Sequence, residues 1–237
     1  MSNVAVLTAG GSGSRMHQDI PKQFLTVNER PVIVYTLEAF ERHPEIDAIC
    51  VACLRGWENV LDAYAKQFNI TKLKYIVPGG ATGQESISNG IFELEKHYSP
   101  DDIVIIHDGN RPMLSPEIIS DNIRVACKNG NAIAAIPCAE VILETEDGKE
   151  SAKSYRRETL RRTQTPHAFR LGDICSLHRR AKESGIASTA ASCEHALKLG
   201  VKVYFSAGSE KNLKLTTLDD IDIFKALLKT ERASWLK

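Results

Sequence analysis

Three glycines within four residues, Gly10, Gly11 and Gly13, leave the apolar run Asn3-Val4-Ala5-Val6-Leu7 and are followed by two cations, Arg15 and Lys22. Glycine lets a backbone take positive φ and approach a ligand with no Cβ in the way. A glycine loop leaving a strand presents N–H groups that can cradle phosphates. Ala9, Gly10 and Gly11, with Arg15 and Lys22 beside them, therefore suit a polyphosphate. Two familiar motifs are absent. Gly11-Ser12-Gly13-Ser14-Arg15-Met16 puts Met where a dinucleotide fingerprint has its last glycine, and no Gly-Lys pair makes a P-loop. A plain tight turn between strand and helix is the alternative.

Other chemistry-bearing residues are spread along the chain. His107-Asp108-Gly109-Asn110-Arg111-Pro112 follows the β-branched run Asp102–Ile106. Asp108 offers a hard oxygen ligand for Mg²⁺, an ion usually shared with substrate phosphates; the alternative is a carboxylate that caps the turn. Lys214 alternates with Leu213 and Leu215, so it either serves the phosphates or lies on the polar face of a strand. Arg156, Arg157, Arg161 and Arg162 either clamp a phosphate or form a solvated face. His167 has no nucleophilic partner and receives no catalytic role. Neither a Ser-His-Asp pattern nor a G-x-S-x-G elbow is visible.

These residues need elements to position them. The apolar runs at Asn3–Leu7, Ile46–Leu54, Leu73–Val77, Asp102–Ile106 and Val201–Ser206 predict strands, and Ala132–Thr145 is a long apolar stretch. Helices are expected over Val32–Arg42 behind Pro31, over Trp57–Phe68, over Gln84–His97, and from Ser115-Pro116 to about Lys128. Further helices are expected over Arg170–Ser184 and Ser192–Leu199, and the last starts at the capping-box-like Thr217-Leu218-Asp219-Asp220. Glu146-Asp147-Gly148-Lys149 reads as a hairpin turn, and the polar stretch Ser151–Arg162 as an extended arm. Alternation of strands and helices predicts an α/β fold with a mostly parallel sheet covered on both faces. Ligands of such sheets bind beyond the carboxyl ends of the strands. Ala9–Arg15, Gly79–Gly83, His107–Arg111 and Pro137–Val141 are the loops expected there.

The 237 residues are read as one domain, residues 1–237, with an arm at about 139–163. Thirty Lys and Arg balance thirty Asp and Glu, which argues against nucleic acid or an anionic membrane as partner. Without a signal-like N-terminus or a bilayer-length apolar run, the expected location is cytoplasmic. Of six scattered cysteines, Cys50 and Cys53 have C-x-x-C spacing. They lie in a strand, where residues three apart face opposite ways, so they read as core thiols.

Six segments taken together resemble one family. They are Ala9–Met16, Pro21-Lys22-Gln23-Phe24, Gly79-Gly80 with Ser86-Ile87, His107–Pro112, Gln164-Thr165-Pro166-His167-Ala168-Phe169, and Asn212-Leu213-Lys214-Leu215-Thr216-Thr217. In this order, and over nearly the whole chain, they are similar to the cytidylyltransferases acting on 2-C-methylerythritol 4-phosphate and on ribitol 5-phosphate. The resemblance implies a Rossmann-like nucleotidyltransferase fold with an extended β-arm. It implies CTP and a sugar-alcohol phosphate as substrates, Mg²⁺ as cofactor, and a homodimer formed through the arm. Arg15, Lys22 and Lys214 would be catalytic. Ala9, Gly10, Gly11, Gly80, Ser86 and Asp108 would hold CTP, with Asp108 near the metal. Arg157 would reach the alcohol phosphate from the arm.

The chain departs from the family's pattern around the second substrate. Glu140-Val141 stands where Asp-Thr is usual, Thr189-Ala190 where Thr-Asp is usual, and Gly83 where an arginine is usual. Arg157, Glu140, Val141 and Thr189 are thus the expected acceptor-binding positions. Losing groups that bind hydroxyls can shift preference by orders of magnitude, and the expectation is ribitol 5-phosphate or a related acceptor. The alternatives are 2-C-methylerythritol 4-phosphate, and a nucleotide-binding homologue with lost or altered acceptor activity.

Overall fold

The computed structural model describes residues 1–11, 20–186 and 189–233, with side chains to residue 230. Its frame is a mixed, mostly parallel sheet. Along the chain the strands are β1 (Asn3–Ala9), the short pair β2 (Thr26–Val27) and β3 (Arg30–Pro31), β4 (Ala48–Cys53), β5 (Leu73–Pro78), β6 (Ile103–Asp108) and β7 (Asn131–Pro137). They continue as β8 (Ile142–Glu144), β9 (Lys153–Tyr155), β10 (Arg161–Arg170) and β11 (Phe205–Ala207). Seven of the described strands form the main sheet, in the order β11-β7-β10-β6-β1-β4-β5. β1 pairs in parallel with β4 and β6, β4 with β5, and β7 with β11. Only β10 runs antiparallel, between β6 and β7.

Both faces of this sheet are dry, so its central strands read as unbroken apolar runs. Every residue of β4 is buried. Ala5, Leu7 and Ala9 of β1 pack under α1 (Val32–Arg42), α2 (Glu58–Gln67) and α4 (Pro116–Asn129). Val4 and Val6, pointing the other way, pack under α3 (Gly83–Leu94), α5 (Leu171–Glu183) and α6 (Ser192–Lys198). Cys50 joins the second layer and Cys53 the first. Both thiols are buried, and burial pushes each up to about 12. A smaller cluster seats α7 (Leu218–Ala233) through Ile221 and Phe224 against Val27, Val32 and Leu215.

Local chemistry sets several boundaries. Gly130 ends α4 at φ 88°, a left-handed cap that glycine takes without strain. At the start of α7 the reciprocal pair is made: Thr217 N–H donates to Asp220, and Asp220 N–H to the Thr217 hydroxyl. Ser115 does stand before Pro116 at the cap of α4, but its hydroxyl turns to the Glu117 carboxylate and caps no N–H. Pro31 precedes α1 and belongs to β3. α3 stops at Leu94, three residues short of the expected end, because 96 and 97 close with shorter turns onto Glu93 and Leu94.

Two expectations need larger correction. The long apolar stretch 132–145 is two strands, a buried β7 ending at Pro137 and an exposed β8. β8 pairs with β9 across the turn at Gly148, giving a two-stranded arm with Val141 and Leu143 exposed. The stretch from Arg161 onward is β10, and its far half is core. Pro166 and the leading arginines hide it. Proline cannot donate to the ladder, and the register with β7 shifts between Thr163 and His167 to accommodate it.

Candidate functional site

At the carboxyl edge of the parallel strands lies a cleft of about 460 Å³, lined among others by Gly10, Gly11, Lys22, Gly80, Ser86, Asp108 and Lys214. Each is held by identifiable contacts. Gln23, almost fully buried, donates from its carboxamide to the carbonyls of Ala9 (2.7 Å) and Gly11 (3.0 Å), pinning the glycine loop from below. Its neighbour Phe24 stacks on Trp57, so the turn carrying Lys22 is anchored on both following residues. The first two glycine loops touch: a Cβ on Gly79 would lie 2.7 Å from Gly10 Cα, closer than any side chain allows. Gly80 N–H donates to Ser86 Oγ at 3.0 Å, and a Cβ on Gly80 would meet Glu85 Cβ at 2.2 Å. The first turn of α3, whose Glu85 N–H is capped by the Thr82 hydroxyl, thus sits against the cleft, with the N–H groups of Gly83 and Gln84 left for an anion.

Asp108 is the electrostatic centre. Lys214 Nζ lies 3.0 Å from its Oδ1 and Arg111 Nε 2.9 Å from its Oδ2. Burial by itself would raise this carboxyl, but Lys214 and Arg111 outweigh it and hold the group well below the usual carboxylate range. Lys214 is in a loop; the described segment 209–217 forms no strand, so a place on a strand's polar face is ruled out. Two asparagines fix that loop. Asn212 Nδ2 donates to the Thr165 carbonyl at 2.8 Å. Asn110 exchanges two bonds with Leu215, its side chain donating to the Leu215 carbonyl and its own carbonyl accepting Leu215 N–H. Nor does Asp108 cap its turn: its carboxylate bonds side chains, and the Thr165 hydroxyl stands 3.4 Å from Oδ2.

A second cavity of about 290 Å³ adjoins the first and shares Thr8, Gly83, Asp108 and Lys214 with it. It is bounded by Thr163, Gln164 and Thr165 of β10 and by Ala190, Ala191 and Ser192 at the entry to α6. Two anions occupying the two cavities would meet over Lys214. Ser86 and Ser192 line the cavities with no histidine or carboxylate hydrogen-bonded to either hydroxyl among the described residues, and the arrangement suits transfer between phosphates.

Residues 3–230 match the family described as IspD, 2-C-methyl-D-erythritol 4-phosphate cytidylyltransferase. The chain belongs to it. Accordingly it is a cytidylyltransferase, a nucleotidyltransferase that passes a cytidylyl group from CTP to a sugar-alcohol phosphate. A ribitol-5-phosphate cytidylyltransferase of Lacticaseibacillus paracasei is 42% identical, over 95% of this chain and 97% of its own. One from Vibrio parahaemolyticus is 40% identical over 97% of each. The crystal structure of 4-diphosphocytidyl-2C-methyl-D-erythritol synthase from Anaerococcus prevotii superposes with a TM-score of 0.82 at 26% identity, covering 96% of both chains.

The cytidylyltransferase brings most of its expected nucleotide residues together: Ala9, Gly10, Gly11, Lys22, Gly80, Ser86, Asp108 and Lys214 all line the first cleft. Arg15 lies outside the described residues. Thr189 is buried beside the second cavity, its hydroxyl donating to the Ala191 carbonyl. Glu140, Val141 and Arg157 line neither cavity of their own chain. Arg157 is exposed on a short turn, 3.1 Å from the Ala139 carbonyl, and the 137–141 loop contributes nothing to the cleft. Sequence reasoning gave no role to Gln23, Asn110, Asn212 or Thr165, although each falls inside a quoted motif. For a metal, the described residues offer no cluster of three or more His, Cys, Asp or Glu. A single carboxylate, Asp108, lining the same cleft as the glycine loop fits an ion carried chiefly by triphosphate oxygens and water, as Mg²⁺ is.

Proposed function

We propose that this cytidylyltransferase uses CTP and ribitol 5-phosphate, or a closely related straight-chain alcohol phosphate, to make pyrophosphate and a CDP-alcohol. The observation that carries the reading is that the two cavities share Lys214 and Asp108, so a triphosphate in one and a phosphomonoester in the other would meet at one cation. Support for the acceptor comes from the relatives' names and from the apolar side chains of Val141 and Ala190 at the departing positions.

A phosphomonoester has its second pKa near ~6, so at neutral pH it is already a nucleophile and needs no general base. One of its oxygens bonds to the α-phosphorus as the bond to the bridging oxygen of the β-phosphate breaks, and pyrophosphate leaves. The protein's part is to hold two anions in line and to neutralise their charge. Lys22 and Lys214 do this from the cleft lining, Arg15 joins them, and the N–H groups of Gly10 and Gly11 orient the nucleotide beside Gly80 and Ser86. Mg²⁺ bound to the triphosphate would neutralise charge between its phosphates, with Asp108 the carboxylate at hand to it.

The chain acts as one domain, 1–237, whose arm pairs two subunits so that Arg157 of one reaches the acceptor phosphate in the other, with Glu140, Val141 and Thr189 near it. No described helix is long and apolar enough to cross a membrane; a cytoplasmic location goes with this reading. The test is pyrophosphate release from CTP and Mg²⁺ across ribitol 5-phosphate, 2-C-methylerythritol 4-phosphate and related alcohol phosphates. Ribitol 5-phosphate should give the highest kcat/KM. A preference for the methyl-branched alcohol overturns the acceptor assignment, and silence on the whole panel favours a nucleotide-binding homologue.

A further inference from the structure

One wall of the second cavity comes from the first turn of α3 and the entry to α6: Gln84, Ala190, Ala191 and Ser192. Two side chains on the β10 side of that cavity are already committed. Gln164 spends its carboxamide on the backbone of Ser209 and on Asn212, and Thr165 spends its hydroxyl on Asp108. The α3–α6 wall differs. Gln84 is 6% exposed and its Oε1 lies 3.2 Å from His195 Nδ1, yet among the described residues no acceptor meets its Nε2. Ser192, 1% exposed, likewise has a hydroxyl with no partner among the described residues. A buried polar atom without a partner is costly and uncommon; the Ser192 hydroxyl is one, and with the unmatched amide donor of Gln84 on the same wall it marks hydrogen bonds kept for the ligand.

The Gln84 carboxamide is also held in one orientation. His195 is buried behind it and packs edge-on against His178, ring centroids 5.0 Å apart. His195 Nδ1 stands 3.2 Å from Gln84 Oε1, and burial pushes the imidazole down, toward its uncharged form.

We propose that Gln84 and Ser192 select the acceptor by hydrogen-bonding hydroxyls of an unbranched polyol phosphate, with His195, as its Nδ1–H tautomer, the positioning residue that turns the Gln84 amide N–H₂ into the cavity. The inference rests on the second cavity being the acceptor site. A methyl-branched tetritol brings one hydroxyl fewer and a methyl that would leave one of these groups unpaired; discrimination by unpaired polar groups is the strong kind.

Steady-state kinetics test it, with ribitol 5-phosphate and 2-C-methylerythritol 4-phosphate as acceptors, in wild type, Gln84→Met, Gln84→Glu, Ser192→Ala and His195→Phe. Gln84→Glu keeps the shape and the acceptor for His195 but exchanges the donor for a negative charge, so Ser192→Ala, which adds no charge, reads the proposal where Gln84→Met fails to fold. The expected result is a rise in KM for ribitol 5-phosphate of about three- to tenfold per lost bond. KM for CTP should stay as in wild type, the preference between acceptors should narrow by a similar factor, and His195→Phe should follow Gln84→Met more weakly. An unchanged acceptor KM in Gln84→Glu and Ser192→Ala overturns the proposal, as does a parallel rise in KM for CTP. Wild type that turns over neither acceptor overturns the acceptor reading itself, and the proposal with it.

Discussion

Asp108 shows how one side chain can organise a site without reacting. Its two oxygens hold Lys214 and Arg111 in fixed places, and Arg111 in turn donates to the Asn212 carbonyl at 2.8 Å. Removing Lys214 should therefore cost turnover and spare the fold. Lys214→Ala and Lys22→Ala are each expected to lower kcat by about 10²–10³, with a melting temperature close to wild type; near-wild-type rates would end the charge-relief account. A different set of side chains governs stability. His107, His167 and His178 are buried and their imidazoles are pushed down to about 4 by desolvation. Each is neutral when folded and takes up a proton on unfolding between its ordinary value near ~6.5 and 4. Stability is thus complete above about pH 6.5 and falls as pH drops toward 4. Calorimetric melts across that range should show the decline, shallower in His178→Gln. Asp108, held low, adds a loss only in much stronger acid. At this scale the sequence was informative where a motif carries charge beside glycine, as at Lys22 and Lys214. It was silent on Asn110 and Asn212, whose work is to pin a loop about a hundred residues away from Asn110 or fold it onto β10.

Among the elements, the glycine loop and β10 are the ones that decide geometry. The loop's rigidity is borrowed from Gln23, whose carboxamide spans two carbonyls. Gln23→Ala should weaken CTP binding by about tenfold while lowering the melting temperature by a few degrees, measured by titration calorimetry and thermal melts; unchanged CTP affinity would show that the loop holds its own shape. The parallel strands were legible because burial on both faces writes continuous Val, Ile and Ala runs, as in 48–53 and 103–106. β10 was not. Its first residues are arginines that serve the arm end, Arg162 pairing with Glu210, and its core half carries a proline. A strand that changes environment midway has no single periodicity to detect.

The whole molecule joins a closed core to an exposed arm through that same strand. If the arm carries Arg157 into a second subunit, activity should be recoverable by mixing two dead proteins. A dimer of one Arg157→Ala chain and one Lys214→Ala chain retains one site with both residues intact, so co-refolded mixtures should regain roughly a quarter of the wild-type rate, as random pairing of a two-fold dimer requires. Recovery of nothing would put Arg157 on its own chain's site. The core has a feature of separate use. Cys50 and Cys53 sit three residues apart on β4 yet face opposite helical layers. Both are too well buried and too weakly acidic to react while folded. In proteins keeping only one or the other, the rate of alkylation becomes a clock for the opening of one layer alone. A ligand that tightens the α3–α6 side should slow the Cys50 clock and leave that of Cys53 running.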